Sequence, residues 1–167
     1  MHIRYAGMCE RSGRAAVTQL PPRLVAPGAP PPPEAFQEVW ESGLMDRLGK
    51  TANLFCDGAH AWRLLVGKHN KTKGARVRLE NVAHYAHEFI RDVGRPRRGQ
   101  SSIAGTQAID QRWRWMKAYI PHCLKARRGR TVNPLIDTYV YSWQWRSNCC
   151  ARGESLWAAL GSVLSEM

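Results

Sequence analysis

The alternation of apolar and polar positions predicts an α/β layout for most of the chain. Helices are expected where apolar residues recur every three or four positions, and strands where short apolar or alternating runs lie between turn residues. The predicted helices run from Glu34 to near Gly43 or Gly49 and over 59–66, 106–120, 133–143 and 154–164, the strands over 52–56 and 76–82, and a polar turn over 71–74. Two strands form a poor sheet for this many helices, so the sheet is expected to be incomplete.

The first 33 residues differ from the rest because seven of the ten prolines lie between Pro21 and Pro33. Proline favours the polyproline II conformation and has no N–H group to donate to a β-ladder. Residues 1–33 are therefore predicted to form a disordered Pro-rich arm. The run from Pro30 to Pro33 leaves open a further interpretation, an adaptor whose arm binds an aromatic groove of a partner protein.

Positive charge is concentrated in the middle of the chain. The sequence has 25 Lys and Arg against 13 Asp and Glu, a net charge of +12. Between Arg63 and Arg130 there are 17 basic and 4 acidic residues, which leaves +13 in this segment. Such a field attracts polyanions, and the aromatic residues between the basic ones favour nucleic acid over a merely solvated surface. The DNA contacts expected from this segment include Arg95, Arg97, Arg98, Arg127 and Arg128.

The sequence predicts no membrane partner and no secretion. It contains no run of 18 apolar residues, and no apolar segment follows the charged N-terminus. The five cysteines are odd in number and scattered, without a CxxC pair. That usage favours reduced thiols, and so a nuclear or cytoplasmic protein.

Two aspartates lie where chemistry is expected in an α/β protein. Asp57 follows the predicted strand 52–56, and ligands of open α/β sheets collect beyond the carboxyl ends of strands. Asp110 lies in the first turn of the helix predicted over 106–120. Each also has a purely structural interpretation, because acidic residues cap helices and complement the helix dipole.

Four segments in the same order resemble DDE transposases of the ISXO-type and Merlin-type group. Leu54 to Trp62 resembles the strand, Asp-Gly pair and aromatic helix around the second catalytic aspartate of that family. Asn81 to His84 is similar to its Val-Asn-His segment, and Gly105 to Lys117 to its third acidic motif. Tyr139 to Asn148 resembles the closing aromatic helix.

The resemblance implies a partial RNase H-like fold whose acidic residues hold two Mg²⁺ or Mn²⁺ ions. In the family these ions activate water or a DNA 3′-hydroxyl and stabilise the leaving oxygen of a phosphodiester. Asp57 would then be the second catalytic and metal-binding carboxylate, and Asp110 the third, in place of the usual Glu. Arg112 and Lys117 would hold the phosphate backbone. The family's opening strands and first aspartate are expected to be missing.

The sequence therefore predicts three parts: a disordered arm over 1–33, a truncated RNase H-like transposase domain over 34–150, and a C-terminal amphipathic helix over 151–167. The predicted function is a truncated or degenerate DDE transposase domain, expected to be inactive in strand transfer. The alternative is a transposase-derived basic protein that binds nucleic acid without catalysis. DNA is the expected partner, and the resemblance also implies a homo-oligomer.

Overall fold

The computed structural model describes residues 2–26, 28–30, 32–57, 59–82, 91–92, 103–104, 106–124 and 133–165, and it confirms a mixed α/β protein. In chain order the elements are β1 (His2–Cys9), β2 (Ala15–Arg23), α1 (Phe36–Glu41), a 3₁₀ turn (Leu44–Arg47), β3 (Thr51–Cys56), α2 (His60–Lys73), β4 (Arg76–Asn81), β5 (Arg91–Asp92), β6 (Ile103–Ala104), α3 (Gln107–Tyr119), a 3₁₀ turn (His122–Leu124), α4 (Leu135–Ala151) and α5 (Leu156–Ser165).

The chain divides into two compact units. The hairpin unit comprises Met1–Pro32 and Gln111–Met167, and the strand–helix–strand unit comprises Pro33–Asp110. This division differs from the predicted one, because the N-terminal residues fold together with the C-terminal helices. Among the residues described, no helix is long and apolar enough to cross a bilayer.

The hairpin unit begins with the antiparallel pair β1–β2. The turn between the strands is closed by a hydrogen bond of 2.8 Å from the Glu10 N–H to the Arg14 carbonyl oxygen. Gly13 lies in this turn with φ 101°, a conformation that glycine adopts without steric cost. Short hairpin loops with a glycine at the left-handed position are common connections between antiparallel strands.

The disordered arm predicted for residues 1–33 is therefore wrong for residues 2–23. Pro21 and Pro22 lie near the end of β2, and sheets tolerate proline at strand ends and on edge strands. Ala15 and Val17 alternate along β2 and belong to the core. The strand is stabilised by burial against distant helices, which the local composition does not reveal. The described residues between β2 and α1 belong to no strand or helix.

One apolar core joins the hairpin to α3 and α4. Buried side chains from β2, from α3 and the residue after it, and from α4 form a single cluster, and partly buried hydrophobic residues, four of them aromatic, pack against it. The buried members are Ala15, Val17, Met116, Ile120, Ile136, Val140 and Trp143. The predicted helical stripe of Met116 and Ile120, and that of Ile136, Val140 and Trp143, thus lie on the core side, as expected from their spacing.

The strand–helix–strand unit is built on β3 and β4, which are parallel and joined by α2. Both strands were expected and are confirmed within one residue at each end. The helix α2 is longer than the predicted 59–66 and includes most of the predicted polar turn over 71–74. Leu65, Val66 and His69 continue its buried stripe, and Gly74 ends it with φ 60°. A lysine-rich sequence can thus remain helical while its inner face is covered.

In each unit, the side-chain amide of a helix residue hydrogen-bonds to the backbone of a strand. Asn70 of α2 donates to the Val77 carbonyl oxygen and accepts from the Val77 N–H, at 2.9 Å each. Asn148 of α4 accepts from the Ala15 N–H at 2.7 Å and donates to the Ala15 carbonyl oxygen at 3.0 Å. Gln144, one turn earlier, accepts from the Val17 N–H at 2.5 Å. These bonds fix α4 in register along β2.

Each sheet in the described part of the chain has two strands, and the third is the short antiparallel pair β5–β6. The hairpin β1–β2 hydrogen-bonds to none of the other described strands. The coarse α/β class is confirmed, whereas the RNase H-like fold stays a prediction.

The C-terminal helix α5 forms, but its apolar face is not buried as predicted. The helical spacing of Leu156, Leu160, Val163 and Leu164 predicts a buried face, but none of the four side chains is buried. Leu160 is 40% exposed and Leu164 62%. An amphipathic pattern shows that a helix has an apolar face, not that the chain supplies a partner for it.

Candidate nucleic-acid interface

Asp57 lies directly after β3, at the carboxyl end of the parallel pair, as predicted. Its Oδ1 accepts a hydrogen bond of 3.2 Å from the Ala59 N–H, which closes an Asx turn just before α2. The side chain is exposed. The structure therefore gives Asp57 the local role that aspartate has in turns.

Asp110 lies in the first turn of α3. The Thr106 hydroxyl donates to its Oδ2 at 3.3 Å, and the Asp110 N–H donates to the Thr106 carbonyl oxygen at 3.1 Å. An exposed carboxylate at this position complements the helix dipole. Asp110, like Asp57, thus has a structural reason to be where it is.

Within the described residues, these carboxylates are not part of a complete metal site. No group of three or more His, Cys, Asp or Glu side chains there is arranged to hold a metal ion. A two-metal phosphodiester site needs several carboxylates around the ions. The carboxylates described here do not fit the implied pair of Mg²⁺ or Mn²⁺ ions. These ions therefore stay a prediction.

Two of the basic residues predicted to contact DNA lie in α3, Arg112 and Lys117. Lys117 is exposed, as is Arg114 on the same helix, whereas Arg112 is half-buried. The remaining predicted contacts lie outside the described residues: Arg95, Arg97, Arg98, Arg127 and Arg128.

A groove of about 420 Å³ lies in the hairpin unit between α3, α4 and the β1–β2 turn. Two arginines, three aromatic residues and two serines line it, together with Cys150 and Ala151, and none of the lining residues is acidic. We call it the arginine groove. Its lining consists of Ser12, Arg112, Trp115, Tyr119, Trp143, Arg146, Ser147, Cys150 and Ala151.

Residues of α4 and of the β1–β2 turn position Arg112 at the groove. Its Nη1 donates to the Ser147 Oγ at 3.2 Å, and the Ser147 hydroxyl donates to the Gly13 carbonyl oxygen at 3.3 Å. A Cβ on Gly13 would lie 2.5 Å from Nη2 of Arg112. Glycine at position 13 thus provides both the positive φ of the turn and the space for the guanidinium group.

Each groove arginine lies over an aromatic ring. The Arg112 guanidinium carbon is 5.0 Å from the centroid of Trp115, and that of Arg146 is 5.8 Å from the centroid of Tyr119. These are cation–π distances. Trp115 keeps 46% of its surface exposed, whereas Trp143 is nearly buried at 8% and also belongs to the core.

Sequence reasoning missed Arg146 and the groove itself. The signal was present in the helical spacing: Arg112, Trp115 and Tyr119 lie three and four residues apart, and Arg146 and Cys150 four apart. Such spacing places side chains on one helix face. Only the packing of α3 against α4 brings the two faces together.

No family model, curated protein or solved structure matches this chain. The residues and their geometry therefore carry the functional argument.

Proposed function

We propose that this chain is a degenerate DDE transposase domain that binds DNA through its basic surface and does not catalyse strand transfer. The order of elements supports the transposase origin: a strand ending at Asp57, a helix, a parallel strand, and later a helix that begins near Asp110. The hydrogen bond from the Ala59 N–H to Asp57 and that from the Thr106 hydroxyl to Asp110 give both carboxylates a local structural role, which agrees with the proposed loss of catalysis.

The unpaired cations of α3 carry the DNA-binding part of the proposal. Arg112, Arg114 and Lys117 form no ion pair within the described residues, although three other basic residues do. Arg114 and Lys117 are also exposed, so they are available to phosphate groups, and phosphate contacts supply most of the sequence-independent affinity for DNA.

The test is a salt series of duplex binding with the charge-reversal variant Arg114→Glu/Lys117→Glu. Fluorescence anisotropy with a labelled duplex gives the dissociation constant at each salt concentration. The plot of log K against log salt has a negative slope, and each lost phosphate contact reduces its magnitude by about 0.9. The loss of two contacts therefore makes the slope shallower by about 2. We expect this reduction together with weaker binding.

The matched control is Arg14→Glu/Lys73→Glu. These two residues already pair with acids, Arg14 with Glu10 at 3.7 Å and Lys73 with Asp46 at 3.3 Å. Both double variants lower the net charge from +12 to +8. A difference between them in duplex affinity therefore depends on where the charges lie in the structure and not on the total charge. Equal effects of the two variants, or no duplex binding by the native protein, would contradict the proposal.

Catalysis is tested separately with supercoiled plasmid and Mn²⁺ or Mg²⁺. We expect no nicking by the native protein above that of Asp57→Ala/Asp110→Ala. Metal-dependent nicking that this double variant abolishes would show that the chain retains transposase chemistry.

A further inference from the structure

We propose that the arginine groove binds a nucleotide of single-stranded DNA, with the phosphate at its guanidinium groups and the base on its aromatic rings. This inference rests on the proposed function and assigns it a specific site. The groove lining includes neither Asp57 nor Asp110.

The chemistry of the lining favours a phosphate group. A guanidinium group has five N–H donors in a planar fork that matches phosphate oxygens in pairs. Arg112 gives one donor to Ser147, which orients the group and leaves the other nitrogen atoms for a ligand. Neither Arg112 nor Arg146 forms an ion pair within the described residues, and none of the residues that line the groove is acidic. The Ser12 hydroxyl at the rim donates to Glu10 Oε2 at 2.9 Å, so the two guanidinium groups are the donors that we assign to the phosphate.

The aromatic rings favour a base beside the phosphate. Every nucleobase has a π-face, and stacking on aromatic side chains or on guanidinium planes is how proteins hold single strands without reading their sequence. Trp115 is 46% exposed at the groove, and the Arg112 guanidinium group lies over its ring.

The size of the groove fits one nucleotide, which favours a single strand over a duplex as the occupant. A volume of about 420 Å³ lies within the range of pockets that hold one small ligand, about 300–1,000 Å³. A base within a duplex has both faces stacked on its neighbours and cannot reach a ring in such a site. A single strand presents its bases unstacked, so one nucleotide can enter.

The test compares labelled dT12 with a duplex of the same length for Trp115→Ala and Arg146→Gln. Stacking on one aromatic residue is worth about 5- to 100-fold in affinity. We expect Trp115→Ala to weaken dT12 binding by about that factor and to lower the ratio of single-strand to duplex affinity. Arg146→Gln should lower the same ratio.

Matched controls separate this site from the rest of the surface. Trp157→Ala removes another exposed tryptophan, 83% exposed and outside the groove, and should leave the ratio unchanged. Lys73→Gln removes a positive charge that is paired with Asp46 and should also leave it unchanged. Far-UV circular dichroism and the thermal midpoint identify any variant that fails to fold; Trp115→Phe, which keeps an aromatic face, then replaces Trp115→Ala and should retain most of the affinity.

The outcomes distinguish the two proposals. If duplex binding responds to Arg114→Glu/Lys117→Glu but the groove variants leave the ratio unchanged, the groove inference is overturned and the DNA-binding function stands. If the native protein binds neither probe, both fail. Inorganic phosphate, a phosphopeptide and unlabelled dT12 are compared as competitors of labelled dT12. If phosphate or the phosphopeptide competes as effectively as unlabelled dT12, the groove recognises the anion alone and the base-stacking inference is overturned.

Discussion

Replacing Asn148 with alanine tests how α4 is held on the hairpin. The Asn148 amide makes two hydrogen bonds with the backbone of Ala15, at 2.7 Å and 3.0 Å. Ala15 is only 7% exposed, so the variant leaves one donor and one acceptor of β2 without a partner and with little access to water. A hydrogen bond contributes about 1 kcal/mol net, and an unsatisfied buried group costs about 1–3 kcal/mol.

We therefore expect Asn148→Ala to lower the free energy of unfolding by about 2–4 kcal/mol. This is a large share of the roughly 5–15 kcal/mol that stabilises a typical native domain. Urea unfolding followed by circular dichroism measures the loss. Thr138→Ala, an exposed position on the same helix, is the control and should change the stability by less than about 0.5 kcal/mol.

Hydrogen exchange at the Ala15 amide supplies a local measurement. The amide proton is protected by the Asn148 oxygen, so its exchange should be faster in Asn148→Ala than in Thr138→Ala. A loss of stability no larger than that of the control, with unchanged exchange at Ala15, would refute the reasoning that this amide fixes the strand edge.

Three further changes test contacts inside one unit or the other. Asn70→Ala removes both 2.9 Å bonds to Val77 and should cost about 2 kcal/mol or more in urea unfolding. Gly13→Ala places a Cβ 2.5 Å from Arg112 at φ 101°, and we expect a loss of about 1–3 kcal/mol, seen as a lower thermal midpoint. Burial raises the pKa of Tyr5 above its ordinary value. Above about pH 10 the unfolded chain therefore binds fewer protons than the native protein, so stability should fall as pH rises, and Tyr5→Phe should remove that dependence.

The N-terminal hairpin shows why composition alone misled. The prolines of residues 21–33 dominate the local pattern, while the alternating residues of β2 are small, such as Ala15 and Val17, and give a weak strand signal. Their partners are Gln144 and Asn148, more than 120 residues later in the chain. A strand that is stabilised by contacts so distant cannot be recognised from its neighbours along the sequence.

The roles of the two aspartates were predicted only as alternatives. Their positions, after a strand and at the start of a helix, followed from local patterns and are confirmed for both Asp57 and Asp110. The choice between capping and metal binding depends on which other carboxylates lie nearby. The structure adds a hydrogen bond from the Ala59 N–H to Asp57 and one from the Thr106 hydroxyl to Asp110.

The sequence by itself determined the net charge, the existence of the strands β3 and β4, and the helices whose apolar residues repeat every three or four positions. These properties depend on composition or on interactions between residues close in the chain. Tertiary structure alone decided that β1 and β2 pair, that α5 keeps its apolar face exposed, and that Arg112 and Arg146 line one groove. The physical reason is that each depends on surfaces far apart in sequence, as in the bond from Ser147 to Gly13, and such surfaces meet only when the chain has folded.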